Sequence, residues 1–248
     1  MPRNARQQSK TGIYHVMLRG INKQNIFEDE EDKEKFLSVL KDCKAISEYK
    51  IFAYCLMNNH IHILLQTVNE NLGQIFKRIG ARYVYWYNWK YQRTGHLFQD
   101  RYKSEPVEDD SYFITVIKYI HQNPVLAGIV KQEAEYKYSS YCDYIKSNTR
   151  DLIEKDYVFG IIDKKEFIKI HAEKAVDHLK IAQTYKRITD EEAKSIITKI
   201  IKNKNWHMVT ITEKTKYIQQ INAKGVSVRQ MSRLTGLSKG VIERNLKT

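Results

Sequence analysis

The chain has 248 residues, and 42 lysines and arginines against 29 aspartates and glutamates give it a net charge of +13. Hydrophobic residues make up 42% of the sequence, which is enough for a packed core and excludes extensive disorder. No window approaches the roughly 18 uninterrupted apolar residues of a membrane span, and the basic start lacks the apolar region of a secretory signal. Three scattered cysteines fit neither a disulfide framework nor a zinc cluster, so a cytoplasmic protein is expected.

The positive charge is concentrated near the C-terminus. Residues 201–248 contain ten lysines and arginines and two glutamates, a net charge of +8 in a short segment. Such a concentration indicates a polyanionic partner, most often nucleic acid. The simpler alternative on charge alone is a lysine-rich, solvated surface.

The first 145 residues alternate between strand and helix patterns. Strands are predicted over 13–21, 51–57, 60–67 and 96–107, and helices over 31–49, 72–91 and 109–121. The last of these helices is expected to be capped by Asp110 or Ser111. Its C-terminal end is expected shortly after His121, where Pro124 stops the helix. This order of elements is that of a ferredoxin-like split βαβ arrangement. An α+β fold is therefore predicted, with an antiparallel sheet and helices on one face.

The C-terminal segment has the pattern of a helix-turn-helix. Ser227 can cap a helix over 228–234, Gly236 lies in a tight turn, and Ser238 can cap a second helix from residue 239. A generic pair of short helices is the alternative. Basic residues on the polar faces favour DNA binding, and these are Arg229, Arg233, Lys239 and Arg244.

The sharpest chemical signal is His60-Ile61-His62 within a predicted strand. Residues i and i+2 of a strand point to the same face, so the two imidazoles stand side by side and can clamp a divalent metal ion. The neighbouring residues are apolar, and two polar rings on a buried strand are costly without a partner. Incidental strand histidines are the alternative interpretation.

A second signal is the spacing of Tyr119 and Asn123, one helical turn apart. If both face the histidine pair, Asn123 can offer a carboxamide oxygen as a third ligand, and Tyr119 brings a phenol beside the metal ion. In the alternative, Tyr119 packs on the sheet as an ordinary aromatic residue and Asn123 simply ends the helix before Pro124.

The segment 71–107 mixes basic and aromatic residues. It has seven lysines and arginines against two acids, interleaved with nine aromatic rings. Basic side chains attract a phosphate backbone, and rings stack on unpaired bases with about 1–3 kcal/mol per base. Part of these rings can instead serve the core or, in the aromatic-rich stretch 83–91, a contact with a second subunit.

Four motifs together resemble a known family. They are HVMLRGINKQNIF (15–27), MNNHIHILL (57–65), GHLFQDRYKS (95–104) and YIHQNPVLAGIV (119–130). Over about residues 10–145 the chain is similar to the REP-associated branch of the single-tyrosine HUH transposases, which are IS200-like. The resemblance implies an RRM-like version of the ferredoxin-like sheet.

The resemblance also implies the chemistry. His60 and His62 are the HUH pair, Asn123 completes the metal site, and Tyr119 is the nucleophile. Enzymes of this family nick single-stranded DNA, often beside an imperfect hairpin, with Mg²⁺ or Mn²⁺ as cofactor, and form a 5′-phosphotyrosine link. Four further residues lie in matching motifs and are expected to touch DNA: Arg19, Asn22, Arg101 and Lys103.

The predicted organisation is a catalytic domain over 1–145, a connector with short helices over 146–190, and a helix-turn-helix module over 191–248. The predicted function is a metal-dependent transposase and endonuclease of single-stranded DNA with hairpins, in a bacterial cytoplasm and associated with the nucleoid. Duplex DNA bound through the C-terminal module and a homodimer are further expected interactions. Two alternatives remain: a helix-turn-helix regulator on an inactive nuclease body, and a relaxase or replication-initiator nuclease.

Overall fold

The computed structural model describes residues 7–146, 150–173, 190–201, 206 and 210–247. Parts of the predicted connector, residues 147–149 and 174–189, therefore lie outside the described residues. The chain divides into two compact units, residues 1–181 and 182–248. None of the described helices is both long enough and apolar enough to span a bilayer.

The first unit is built on a four-stranded antiparallel sheet. Its strands are β1 (Ile13–Arg19), β2 (Lys50–Met57), β3 (His60–Gln66) and β4 (Lys103–Pro106). They are ordered β2-β3-β1-β4, so the two strands richest in site residues, β1 and β3, lie in the centre. This order confirms the predicted ferredoxin-like arrangement. Most positions of the three long strands are buried, which explains their nearly continuous apolar sequence.

The fourth strand is shorter than the predicted range 96–107. Only Lys103–Pro106 pairs with β1, whereas Phe98 makes a single isolated bridge to Gly20. Backbone hydrogen bonds hold the intervening segment in an irregular path: Ile21 N donates to Leu97 O at 2.9 Å and Gln99 N donates to Arg19 O at 2.8 Å. These contacts end the regular ladder, so part of the loosely alternating sequence forms a loop instead.

Three long helices accompany the sheet. They are α1 (Glu30–Ser47), α2 (Leu72–Lys90) and α3 (Asp110–Leu126). The side chain of Asp29 caps α1 in a reciprocal capping box with Asp32, and Asn71 caps α2. Helices α1 and α2 pack against each other, while α3 packs against β2 and β3.

Both ends of α3 differ from the prediction. Asp109, rather than Asp110 or Ser111, caps it, because the Asp109 side chain accepts a hydrogen bond from Tyr112 N. Pro124 lies inside the helix and does not end it, since α3 continues to Leu126. Amide groups of residues 127–129 bond back to the carbonyl oxygens of residues 123–125, so the last turn closes despite the proline. The chain then turns at Gly128, whose φ is +69°.

Residues 138–146 and 150–173 connect α3 to the sheet. They contain the short helices α4 (Tyr141–Ile145), α5 (Lys155–Ile161) and α6 (Lys164–Ala172). The segment before α4 extends the free edge of β2: Leu56 N donates to Tyr138 O at 2.9 Å, and Ser140 N donates to Tyr54 O at 3.0 Å. The side chain of Gln122 donates to the carbonyl oxygens of His171 and Glu173, each at 2.9 Å.

A buried chain of hydrogen bonds completes this connection. The carbonyl of Phe167 can only accept, so His171 Nδ1 donates to it at 2.7 Å. His171 Nε2 then accepts from His121 Nδ1 at 2.9 Å, and His121 Nε2 accepts from the Ser140 hydroxyl at 2.8 Å. All three side chains are buried. The position and rotation of α3 are thereby tied to α6 and to the edge of β2.

The second unit is helical. It contains α7 (Asp190–Ile201), α8 (Ile211–Ala223), α9 (Val228–Thr235) and α10 (Lys239–Lys247). Ser227 caps α9 in a capping box with Gln230, and Gly236 ends it with a φ of +75°. The last two helices follow the predicted boundaries. Their small core includes Met231 and Ile242, packed with apolar residues from α7 and α8.

The turn after β1 requires glycine at position 20. Its φ of −63° and ψ of 143° suit any residue, but a Cβ would overlap the carbonyl oxygen of Gln24. We expect Gly20→Ala to lower the free energy of unfolding by about 1–3 kcal/mol, the usual cost of overpacking, in a urea titration. The matched control is Gly80→Ala in α2, where an added Cβ meets no atom within 4 Å and is expected to stabilise the helix. Equal stability of the two variants would contradict the steric argument.

Candidate active site

Strand β3 presents His60 and His62 on one face. Ile61, between them, is buried on the opposite face, and the two imidazole centroids are 5.2 Å apart. His62 is buried and His60 is half-buried at the end of the strand. The imidazole Nδ1 of His60 lies 2.7 Å from Asn59 Oδ1, an acceptor, so Nδ1 carries the proton and Nε2 keeps its lone pair.

Strand β1 adds residues to the same face. The register sets Arg19 opposite His60 and Met17 opposite His62. His15, two residues before Met17, therefore lies diagonally beside His62, and its Nε2 is 2.9 Å from His62 Nδ1. The sequence analysis assigned no role to His15: strand alternation sets it on the same face as Arg19, but only the β1–β3 register shows that this is the face of the histidine pair.

Helix α3 brings Tyr119 and Asn123 to the histidines. The Tyr119 ring meets His62 edge to face with centroids 5.5 Å apart, and His15 at 5.9 Å. The Asn123 side chain interacts with His60, and its Nδ2 donates to Tyr119 O at 3.0 Å. The four residues predicted to share one site are thus neighbours, and both α3 side chains are buried there.

Burial keeps the imidazoles of the site neutral. Desolvation lowers the pKa of His60 to about 4, assisted by the nearby Arg19 guanidinium, and desolvation lowers the pKa of His15 to about 3. The pKa of His62 falls well below its usual value, first through desolvation and then through the other two histidines. Neutral imidazole is the form that can bind a metal ion, and here it is the form present at neutral pH.

The donor set fits a divalent metal ion. Within the part of the chain that the structure describes, His62 Nε2 is buried and has no hydrogen-bond partner. Such an atom is unfavourable unless something binds it. No group of three or more histidine, cysteine, aspartate or glutamate side chains among the described residues could hold a metal ion, so a site here depends on the amide of Asn123 beside the two imidazoles.

The residues predicted to touch DNA fall into separate places. Arg19 lies opposite His60, and Lys103 lies opposite Met17, so both belong to the face of the site. Asn22 is exposed in the turn after β1 with a φ of 51°, a left-handed conformation that asparagine tolerates well. Arg101 is exposed and lies away from the histidines, on a groove of about 690 Å³. The groove runs between α2 and the loop 96–102 and is lined by Phe76, Lys77, Phe98, Arg101 and Tyr102 among others.

The four basic residues predicted in the helix-turn-helix lie in the second unit. Arg229, Lys239 and Arg244 are exposed. Arg233, on α9, is exposed as well but forms an ion pair with Asp190 of α7. This pair ties α9 to α7, which gives Arg233 a structural partner within the unit.

The site thus consists of two adjacent histidines on a ferredoxin-like sheet, faced by a tyrosine and an asparagine from one helix. Residues 8–123 match the family model of IS200-like transposases. This match covers slightly less than half of the chain, and it confirms the family resemblance of the four motifs. No functionally curated protein matches the chain.

Two solved structures are similar to the chain. One is a REP-associated tyrosine transposase bound to a REP hairpin: it is 16% identical, with a TM-score of 0.52 over 63% of this chain and 90% of that one. The other is a putative transposase from Deinococcus radiodurans R1, 14% identical with a TM-score of 0.33 over 45% of this chain and 91% of that one. The first likeness establishes a shared fold.

The buried histidines make stability depend on pH. Burial lowers the pKa of His15 to about 3 and the pKa values of His60 and His171 to about 4, and it takes those of His62 and His121 well below 6.5. Between pH 6.5 and 4 the unfolded chain therefore binds more protons than the folded one. The free energy of unfolding is therefore highest above pH 6.5 with respect to these groups. It decreases as the pH falls below 6.5, by up to about 1.4 kcal/mol per pH unit for each histidine.

Urea titrations in metal-free buffer from pH 7.5 to 4.5 measure this loss. We expect His171→Gln to have a shallower dependence of the free energy of unfolding on pH, because one buried histidine is removed. His96→Gln, at an exposed position, is the control. A wild-type stability that is flat over this range would contradict the burial of neutral imidazoles.

Proposed function

We propose that the transposase domain cleaves and rejoins single-stranded DNA near hairpins, in a metal-dependent reaction with a 5′-phosphotyrosine intermediate. The observation that carries the proposal is the meeting of Tyr119 and Asn123 with His60 and His62 on one face of the sheet. A structural role for Tyr119 alone would not require two neutral histidines and an amide beside it.

His60, His62 and Asn123 would hold the metal ion, through two imidazole Nε2 atoms and the carboxamide oxygen. The Nδ2 of Asn123 donates to Tyr119 O, and its carboxamide oxygen would supply the third donor beside His60. Bound Mg²⁺ or Mn²⁺ would supply Lewis acidity and orient a phosphodiester for in-line attack. Both ions accept this mixture of nitrogen and oxygen donors.

Tyr119 is the proposed nucleophile. Its hydroxyl oxygen attacks the phosphorus, an Oη–P bond forms, and the bond from phosphorus to the 3′ oxygen breaks. The phenolic proton is transferred, directly or through solvent, to the departing 3′ oxygen, which leaves as a free 3′-OH. The downstream fragment remains esterified to Tyr119 through its 5′ phosphate, and attack by a 3′-OH reverses the step, so cleavage and joining use the same chemistry.

Basic and aromatic surfaces support a single-stranded substrate. Arg19 and Lys103 flank the site, and the groove containing Arg101 combines basic side chains with Phe76, Phe98 and Tyr102. Positive charge follows a phosphate backbone, and the half-buried ring of Phe98 can stack on an unpaired base, whereas Phe76 and Tyr102 are buried. The REP hairpin bound by the structurally similar transposase supports a hairpin as the neighbouring feature of the DNA.

The second unit is proposed to bind duplex DNA. The short turn at Gly236 between α9 and α10 supports a helix-turn-helix, in which the exposed basic residues of α10 would lie against the major groove or its phosphates. Duplex binding without nicking would instead favour the alternative of a regulator on an inactive nuclease body.

A homodimer is part of the proposal because α2 exposes large aromatic residues. Tyr85 is 78% and Trp89 is 72% exposed, on successive turns of that helix. Such rings are frequent at contacts between subunits. Size-exclusion chromatography with light scattering, on the full chain and on Trp89→Ser, measures the association directly.

Tyr119→Phe tests the nucleophile. We expect complete loss of the covalent protein–DNA product, with single-strand affinity changed less than about threefold, because only the attacking oxygen is removed. The assay uses single-stranded DNA from the flanks of the gene, with Mn²⁺ or with EDTA, on a denaturing gel. Tyr85→Phe, an exposed tyrosine on α2, is the matched control. A normal adduct from Tyr119→Phe would refute the assignment.

Lys239→Ala and Arg244→Ala test the second unit. We expect each to weaken duplex binding and to reduce the slope of log K against log salt by about 1, since each lost phosphate contact retains one counterion. Single-strand cleavage is expected to be unchanged. Lys224→Ala, exposed at the end of α8, is the control. An unchanged slope for both α10 variants would argue against duplex contacts by this helix.

A further inference from the structure

A buried histidine pair links the candidate metal site to strand β4. His62 Nδ1 and His15 Nε2 are 2.9 Å apart, and both rings are buried. Within the described residues the outer nitrogen of each ring, His62 Nε2 and His15 Nδ1, is buried without a hydrogen-bond partner. The pair is thus a short hydrogen-bonded unit with one open end toward the site and one toward β4.

Two arrangements of protons can make this bond. In the first, His62 Nδ1 donates to His15 Nε2, so His62 Nε2 keeps a lone pair and His15 Nδ1 carries a proton. In the second, His15 Nε2 donates to His62 Nδ1, so His62 Nε2 carries a proton and cannot bind a metal ion. The inter-ring distance is the same in both, and a neighbouring group must select between them.

Glu105 is the group positioned to make that selection. It lies directly opposite His15 in the β1–β4 register, so both side chains rise from the same face of the sheet with Cβ atoms about 4.5–5.5 Å apart. Its Oε2 is buried and, among the described residues, has no hydrogen-bond partner, while the Tyr112 hydroxyl of α3 hydrogen-bonds the carboxylate. Two residues that face each other across β1 and β4 thus each have a buried atom without a hydrogen-bond partner. One is Glu105 Oε2, an acceptor, and the other is His15 Nδ1, which is a donor when it carries the proton.

We propose that Glu105, His15 and His62 form a carboxylate–histidine–histidine relay that orients the metal-binding nitrogen. The Glu105 carboxylate accepts a hydrogen bond from His15 Nδ1, directly or through one water molecule. It thereby disfavours the tautomer in which His15 Nδ1 has no proton, because two acceptors would then face each other. His15 Nε2 then accepts from His62 Nδ1, and His62 Nε2 faces the site with its lone pair. His15 and Glu105 are positioning residues, and the metal-binding consequence rests on the function proposed above.

Histidine tautomers can be read directly by NMR on protein labelled with ¹⁵N and ¹³C at histidine. In metal-free wild type we expect His62 with its proton on Nδ1. His15→Phe removes the acceptor and is expected to move that proton to Nε2, whereas His15→Gln restores an acceptor near the position of Nε2 and is expected to retain the wild-type tautomer. Glu105→Gln, which can donate as well as accept, is expected to give a mixture. A His62 proton on Nε2 in wild type would overturn the relay.

Mn²⁺ affinity, measured on DNA-free protein by the electron paramagnetic resonance signal of the free ion, is the second readout. We expect about a 10–100-fold loss for His15→Phe, the usual effect of removing such an outer partner, and substantial recovery in His15→Gln. Glu108→Gln, at an exposed carboxylate just beyond β4, is the control. Unchanged affinity in both His15→Phe and Glu105→Gln would overturn the proposal.

The two proposals fail differently. If wild type has the expected tautomer but binds no Mn²⁺ and forms no covalent product, the relay stands as a structural feature and the proposed function fails. If His15→Phe does not fold, Glu105→Gln, at a half-buried position, still supplies both readouts.

Discussion

The antiparallel register of β1 and β3 is the constraint on which the site depends. It sets Arg19 opposite His60 and brings His15 within hydrogen-bond distance of His62. Side chains alternate along a strand, so a shift of either strand by one residue would send its contribution to the other face. The register is held by burial, because the residues between the site positions, such as Val16 and Ile61, are part of the core. The core packing that fixes the strand register therefore also fixes the positions of the site residues.

The position of α3 is the second requirement, and it is met by a part of the chain beyond the family match. Tyr119 and Asn123 reach the sheet on one side of the helix, while His121 and Gln122 are bonded to residues 139–173 on the other. Opposed contacts of this kind limit rotation of the helix about its axis. The segment after residue 123 thus contributes to the geometry of the site although it supplies no residue to it.

The buried polar groups have a common physical character. Histidines, hydroxyl groups and an amide are buried in neutral form and are joined by hydrogen bonds. Where the partner of a histidine can only donate or only accept, that partner determines which ring nitrogen carries the proton. Around His62 the neighbour is another histidine, which can be either. Because of that ambiguity, the proposed role of the Glu105 carboxylate is to set whether His62 Nε2, which faces the site, carries a proton or a lone pair.

Local patterns predicted most of the strands and helices and the pairing of the candidate site residues. Strand alternation put His60 and His62 on one face, helical spacing put Tyr119 and Asn123 together, and Ser227, Gly236 and Ser238 marked the last two helices, because these features depend on neighbours only a few residues apart. Only the tertiary structure decided that the two pairs meet, that Pro124 stays within α3, and that residues 96–102 leave the ladder. It also decided that His15 lies beside His62 and that Glu105 lies opposite His15. Those outcomes depend on strand register and on contacts between segments up to about a hundred residues apart, which no local pattern encodes.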